Sequence, residues 1–247
     1  MAYVVIGNYV SPYVRKVLVC MELKGLAYRI DPIAPFVGND RFERLSPLRR
    51  IPVLLAGDRV FNDSSVICQY LEDVHPAPAL YPSDPADRAQ ARWLEEYADT
   101  YLADGLIWRL FYQKAIRRYV FGEPADEAVV REALEVHIPR ALDYLESRLP
   151  AEGFLFGALS IADVTIACMF RTAAFARFAI DAGRWPRSAA FVERVLALEP
   201  FRKLAVLEDA VLRQPLAEQR AALAAAGAPL TADTFGTSAP RHGLPRT

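Results

Sequence analysis

Three short stretches of this 247-residue chain place polar side chains where a helix begins or a strand is interrupted. Ser11 precedes Pro12 and Tyr13, and apolar residues then recur at helical spacing at Val14, Val17, Leu18 and Met21. Proline suits a first helical position, so Ser11 reads as the N-cap of that helix. A hydroxyl there, backed by the positive end of the helix, can serve an anion as well as the backbone. In the second stretch, Arg49 and Arg50 lead into Ile51-Pro52-Val53-Leu54. A proline removes a ladder donor, so Pro52 marks an edge, a bulge or a cis bond. In the third, Asn62-Asp63-Ser64 stand just before SVICQYLEDV, a helix with a strong start signal. Each stretch also has a plainer meaning. Ser11 can be only a cap, the arginines only surface charge beside an edge proline, and Asp63-Ser64 only a cap box.

The elements around these residues follow a definite order. Residues 3–6 (YVVI) suit a buried strand ending at Gly7, and Gly25 is a natural stop for the helix that follows Ser11. Residues 27–31 read as a second strand and 32–40 as a loop. Residues 51–55 and 59–61, separated by AGD, read as a hairpin that leads to the helix after Ser64. Four prolines within residues 75–85, the last of them Pro85, make a linker, and everything beyond it reads as helical. Long helices are expected over 85–120, with Trp93, Tyr97, Tyr101, Leu102, Trp108 and Tyr112 near one face, and over 125–149. Ser160-Ile161-Ala162-Asp163 opens a very apolar helix to about Ala179, and shorter helices cover 186–198 and 200–212. From about Ala228 the chain has no period, so a poorly ordered tail is expected.

Composition bounds the function classes. With 29 basic and 30 acidic residues the formal charge is −1, which offers no general attraction to nucleic acid or an anionic membrane. Apolar residues make up 53% of the chain, enough for a substantial core. Cys20, Cys68 and Cys168 are far apart, lack metal-ligand spacing and sit in apolar runs, so they read as small buried hydrophobes. Their odd number suits a reducing compartment. The opening MAYVVIGNYVSP has no basic leader, so a cytoplasmic protein is expected.

The order and spacing of SPYVRKV, RRIPVLL and NDSSVICQYLE, followed by a proline linker into helix, resemble the glutathione S-transferase superfamily over roughly residues 3–210. The likeness is to cytosolic, serine-type members of the bacterial, tau, omega and zeta kind. It implies a thioredoxin-like α/β domain over 1–76, a linker over 77–85, an all-α helical-bundle domain over 86–227 and a tail over 228–247. It implies that the Ser11 hydroxyl donates to the sulfur of glutathione, with Tyr9 and Asn8 as alternative partners of the thiol. Arg50 would lie near the glycyl carboxylate, and the backbone of Ile51, before a cis Pro52, would pair with the cysteinyl unit as an added strand. Ser64 and its helix N-terminus would hold the γ-glutamyl carboxylate, and Asp63, one methylene shorter than the usual glutamate, the amino group. Arg49 departs from the family pattern, which has glycine there. Ser160 and Asp163 resemble the family's structural capping motif.

The resemblance further implies a two-fold homodimer, glutathione as co-substrate with no metal, and a small hydrophobic electrophile as second substrate. The electrophile pocket would draw on Tyr13, Phe36, Trp108 and Tyr112, each of which is equally well a core aromatic. The implied activity is glutathione transfer, by conjugation or glutathione-dependent isomerisation or dehalogenation. The alternative is a non-catalytic protein that keeps the fold for interaction.

Overall fold

The computed structural model describes residues 3–212 and 214–241. The chain divides into two compact units: Met1–Pro78 together with Glu199–Thr247, and Ala79–Leu198.

The first unit is built on a four-stranded sheet in the order β2-β1-β3-β4, from β1 (Tyr3–Ile6), β2 (Tyr28–Asp31), β3 (Val53–Ala56) and β4 (Arg59–Asn62). Strand β1 pairs parallel with β2 and antiparallel with β3, and β3 pairs antiparallel with β4. Between β1 and β2 runs α1 (Pro12–Leu23), whose Val14, Val17, Leu18 and Met21 are all fully buried. Burial of that kind contributes about 1.5–3 kcal/mol per large apolar side chain. After β4 comes α3 (Ser64–Val74), packed on α1 so that the Cys20 and Cys68 sulfurs lie 3.6 Å apart. The region read as a loop after β2 holds a single 3₁₀ turn, Pro35–Val37, and is followed by a short helix α2 (Asp40–Leu45) that the sequence pattern did not reveal. Asn39 caps α2 through its side-chain oxygen.

Residues 199–241 also belong to this unit, which differs from the expected boundary. Helix α10 (Glu199–Val211) is tied to α1 by a buried ion pair, Arg15–Glu208, and by Lys203–Glu22 at 2.6 Å. Helix α11 (Leu216–Ala225) follows. The segment expected to be poorly ordered then pairs with the free edge of β2. Ile30 N–H donates to the Pro229 carbonyl at 2.8 Å, and Thr231 N–H donates to the Ile30 carbonyl at 3.0 Å. Further on, Asn39 N–H donates to the Phe235 carbonyl, Thr237 N–H to that of Val37 and Arg241 N–H to that of Phe36. Covering an open sheet edge satisfies strand groups that would otherwise need water. Gly236 pairs with Gly38 where added Cβ atoms would crowd Ile33 and Phe42, so the close approach needs both glycines. Residues 242–247 of the expected tail lie outside the described residues.

The second unit is helical. A continuous helical run begins with α4 (Pro85–Tyr97), passes through π-helical turns at Ala98–Leu102 and Asp104–Ile116, and ends in α5 (Arg117–Val120). Then come α6 (Glu127–Glu132), a π-helical turn at Ala133–His137, α7 (Ile138–Arg148), α8 (Ile161–Phe175) and α9 (Pro186–Leu196). Helix α8 is buried almost throughout, and Ser160 with Asp163 forms a capping box at its start. The buried Asp163 carboxylate accepts from the Ser160 N–H and hydroxyl and from the Leu155 N–H. Helix α9 has no cap from its own N-terminal residue. Its first N–H groups, on Arg187 and Ser188, donate to Glu146 of α7. Burial works to raise the Glu146 titration, but these donors outweigh it and hold the carboxyl below its ordinary value. Among the described residues no helix is long and apolar enough to cross a membrane.

Candidate functional site

Strand register determines which loops meet. Ile6 stands opposite Asp31 on one side and Val53 on the other, and Val53 stands opposite Asn62. These four residues form one row across the end of the sheet. Just beyond it lie Gly7–Ser11 leaving β1, Arg50–Pro52 entering β3, and Asp63-Ser64 leaving β4. With strands about 4.8 Å apart, the whole row spans roughly 15 Å. Three stretches separated by about forty and thirteen residues thus emerge at one rim. Gly7 makes the approach close: a Cβ there would fall 2.5 Å from the Val14 side chain and 3.4 Å from Cβ of Ile51.

Ser11 is half-buried at the N-cap of α1. Its Oγ accepts from the Val14 N–H at a long 3.4 Å, which leaves the hydroxyl hydrogen available for another acceptor. No acidic residue occupies the first turn of α1 to offset the positive end of the helix. Of the two alternatives, Asn8 is bonded elsewhere and Tyr9 is buried. Asn8 accepts from the Val10 N–H through Oδ1 and donates through Nδ2 to Gln219. Tyr9 is 1% exposed and, among the described residues, its buried hydroxyl has no hydrogen-bond partner; burial, and then the Glu22 charge, push its titration far above the ordinary tyrosine value. Glu22 lies eleven residues along α1 from Ser11, about 16 Å of helix rise.

The peptide bond between Ile51 and Pro52 is cis. Among the described residues, neither the N–H nor the C=O of half-buried Ile51 has a protein partner. Ser46 fixes the preceding residue from both sides, accepting from the Arg50 N–H at 3.0 Å and donating to the Arg50 carbonyl at 2.8 Å. The Arg50 side chain is exposed. Arg49 takes φ +50°, in the left-handed region, and so fills the conformation that the family's glycine would adopt.

Asp63 also has a positive φ, +75°, and caps α3 through Oδ1, which accepts from the N–H groups of Ser65 and Val66. Among the described residues its second carboxylate oxygen accepts no hydrogen bond, and the side chain is exposed. Ser64 opens α3 and is 4% exposed. Fully buried Lys16 of α1 reaches across to donate to the Ser65 hydroxyl at 2.9 Å, fixing the start of α3 against α1. Of the aromatic candidates, Tyr13 is half-buried in the first turn of α1 and Phe36 is buried in the turn after β2. Trp108 and Tyr112 are half-buried on the long helical run of the second unit.

At the β2 end of the row stands Asp31, a residue that sequence reasoning missed. Its carboxylate is wholly buried and accepts from Arg220 at 3.1 Å and from the Phe235 N–H at 2.6 Å. Burial raises its titration, opposed by those same donors. Arg220 and Gln219 lie in an alanine-rich helical stretch with no amphipathic period, so nothing local marks them. Among the described residues no cluster of three or more His, Cys, Asp or Glu side chains gathers that would hold a metal ion.

Comparison with known proteins matches residues 5–79 to the glutathione S-transferase N-terminal domain and residues 128–194 to its C-terminal domain. An uncharacterized GST-like protein, YibF of Escherichia coli (strain K12), is 26% identical over 205 residues, covering 80% of this chain and 96% of that protein. The maleylacetoacetate isomerase of Rattus norvegicus is 26% identical over 194 residues, covering 76% of this chain and 84% of that protein. A glutathione S-transferase crystal structure from Rhodospirillum rubrum F11 superposes with a TM-score of 0.75 at 27% identity, covering 82% of this chain and 91% of that one.

Proposed function

The chain belongs to the glutathione S-transferase superfamily, and from that premise we propose that it binds glutathione at the rim described above and activates its thiol for attack on a small electrophile. The observation that carries this reading is the pairing of an available Ser11 hydroxyl at a helix N-terminus with the unpartnered backbone of Ile51.

Glutathione is a short peptide with two carboxylates, an amino group and a thiol, and the rim offers a counterpart for each. The backbone of Ile51 would pair with the central cysteinyl unit. The start of α3, with Ser64, would take the γ-glutamyl carboxylate, and the open oxygen of Asp63 the amino group. Arg50 would lie near the glycyl carboxylate. Ser11 would donate to the sulfur. A free thiol titrates near ~8.5, and lowering that by roughly two units needs about 2.7 kcal/mol of differential stabilisation. One charge-assisted hydrogen bond together with a helix N-terminus is of that size.

The activated thiolate would attack an electrophilic carbon, in conjugation or in a glutathione-dependent isomerisation or dehalogenation. Likeness to a maleylacetoacetate isomerase supports including isomerisation. The exposed apolar residues Val60, Val66 and Val74 suit the two-fold dimer that the family resemblance implies. Calorimetry with glutathione tests the binding. Saturable heat at up to millimolar ligand, weakened about tenfold or more by Ser64→Ala combined with Arg50→Ala, is the expected result. Absence of binding by the unaltered protein would instead favour a scaffold that keeps the fold without the ligand.

A further inference from the structure

The Gly7–Ser11 turn, which presents the hydroxyl, is held by residues from the far end of the chain. From outside, the Asn8 side chain donates to Oε1 of Gln219 on α11 at 3.3 Å, while the Asn8 carbonyl accepts from the Ser11 N–H at 3.1 Å. From inside, Arg15 donates through Nη2 to the carbonyls of Tyr9 and Val10, both at 3.4 Å, and is itself fixed by the buried Glu208 of α10. At its root, the Gly7 N–H donates to the carbonyl of Asp31, whose carboxylate is clasped by Arg220 of α11 and by the Phe235 N–H. Three separate anchors thus run from residues 199–241 to one five-residue turn. A residue that only capped the start of α1 would need none of them.

Resting on the reading of Ser11 given above, we propose that the C-terminal helices and strap set the orientation of the Ser11 hydroxyl, with Gln219 as a positioning residue that acts through Asn8. A donor that must meet a sulfur within a few tenths of an ångström loses strength when its turn is free to shift. Gln219 is half-buried on a helix where alanine is well tolerated, so its replacement does not endanger folding.

The test is a titration of glutathione bound to the protein, followed by the ultraviolet absorbance of its thiolate. Gln219→Ala is expected to raise the apparent pKa of the bound thiol by roughly half a unit, about a threefold loss of thiolate at a pH well below that pKa. Glutathione affinity should stay within about twofold, since the groups that hold the peptide are untouched. Ser11→Ala is the reference. If Ser11→Ala raises the pKa and Gln219→Ala does not, the positioning role is overturned while the Ser11 reading stands. If neither variant moves it, both fall together.

Discussion

Arg49 and Asp63 adopt backbone angles that side chains resist, and each does so next to a residue of the candidate site. At Arg49 the φ of +50° follows from the turn between Ser46 and β3, where the Arg49 N–H donates to the Ser46 carbonyl at 2.8 Å. A left-handed conformation costs a non-glycine residue about 1 kcal/mol or more. Arg49→Gly is therefore expected to stabilise the protein, by up to about 1 kcal/mol after the added freedom of glycine in the unfolded chain is offset. Chemical denaturation would check this, and a destabilised variant would show that the arginine side chain itself holds the turn. Ser11 stands differently. Its cap bond is long and its hydrogen is available, whereas Asn8 is bonded to Val10 and Gln219 and Tyr9 is buried. That division makes Ser11 the strongest of the three residues considered for the thiol, and it could not be read from SPY alone.

Helix starts dominate at the scale of elements. Helices α1, α2, α3 and α4 are each capped by the side chain of the residue before them: Ser11, Asn39, Asp63 and Asp84. The cap of α8 is more elaborate. Asp163 accepts from three donors in a place where water does not reach. Asp163→Ala would strand buried donors as well as lose a cap, and should destabilise by about 2–4 kcal/mol. Thermal unfolding is the check, and a loss under about 0.5 kcal/mol would mean that the loop before α8 rearranges without cost. The order of the four strands and of α1 and α3 in the first 74 residues was legible because each of these elements carries its own start, period or stop. Helices α2 and α11 were not. The first is only six residues long, and the second, LAEQRAALAA, has no apolar stripe to count. The α9 cap was hidden for another reason, since Glu146 lies some forty residues away from the N–H groups it serves.

Taken whole, the molecule joins its two ends in one unit. The sheet end that carries Ser11, Ile51 and Ser64 is completed on the β2 side by residues 229–241, bound largely through main-chain hydrogen bonds. A strand-like segment of that kind needs no hydrophobic period, so composition alone suggested disorder where the structure has pairing. The buried carboxylate of Asp31 and the buried pair Arg15–Glu208 lock the same ends together through side chains. Isolated charges in such places would be costly, so their partners have to be present when the fold forms. On the proposed reading, the unit as a whole supplies an orienting frame for the Ser11 hydroxyl beside the unpartnered backbone of Ile51. The most direct measurement of that claim is the thiol pKa of glutathione bound to the unaltered protein and to Ser11→Ala. A value roughly two units below the free thiol's ~8.5, returning most of the way in the variant, is the result expected. A bound thiol that titrates near ~8.5 in the unaltered protein, or a lowered value that Ser11→Ala leaves in place, would contradict it.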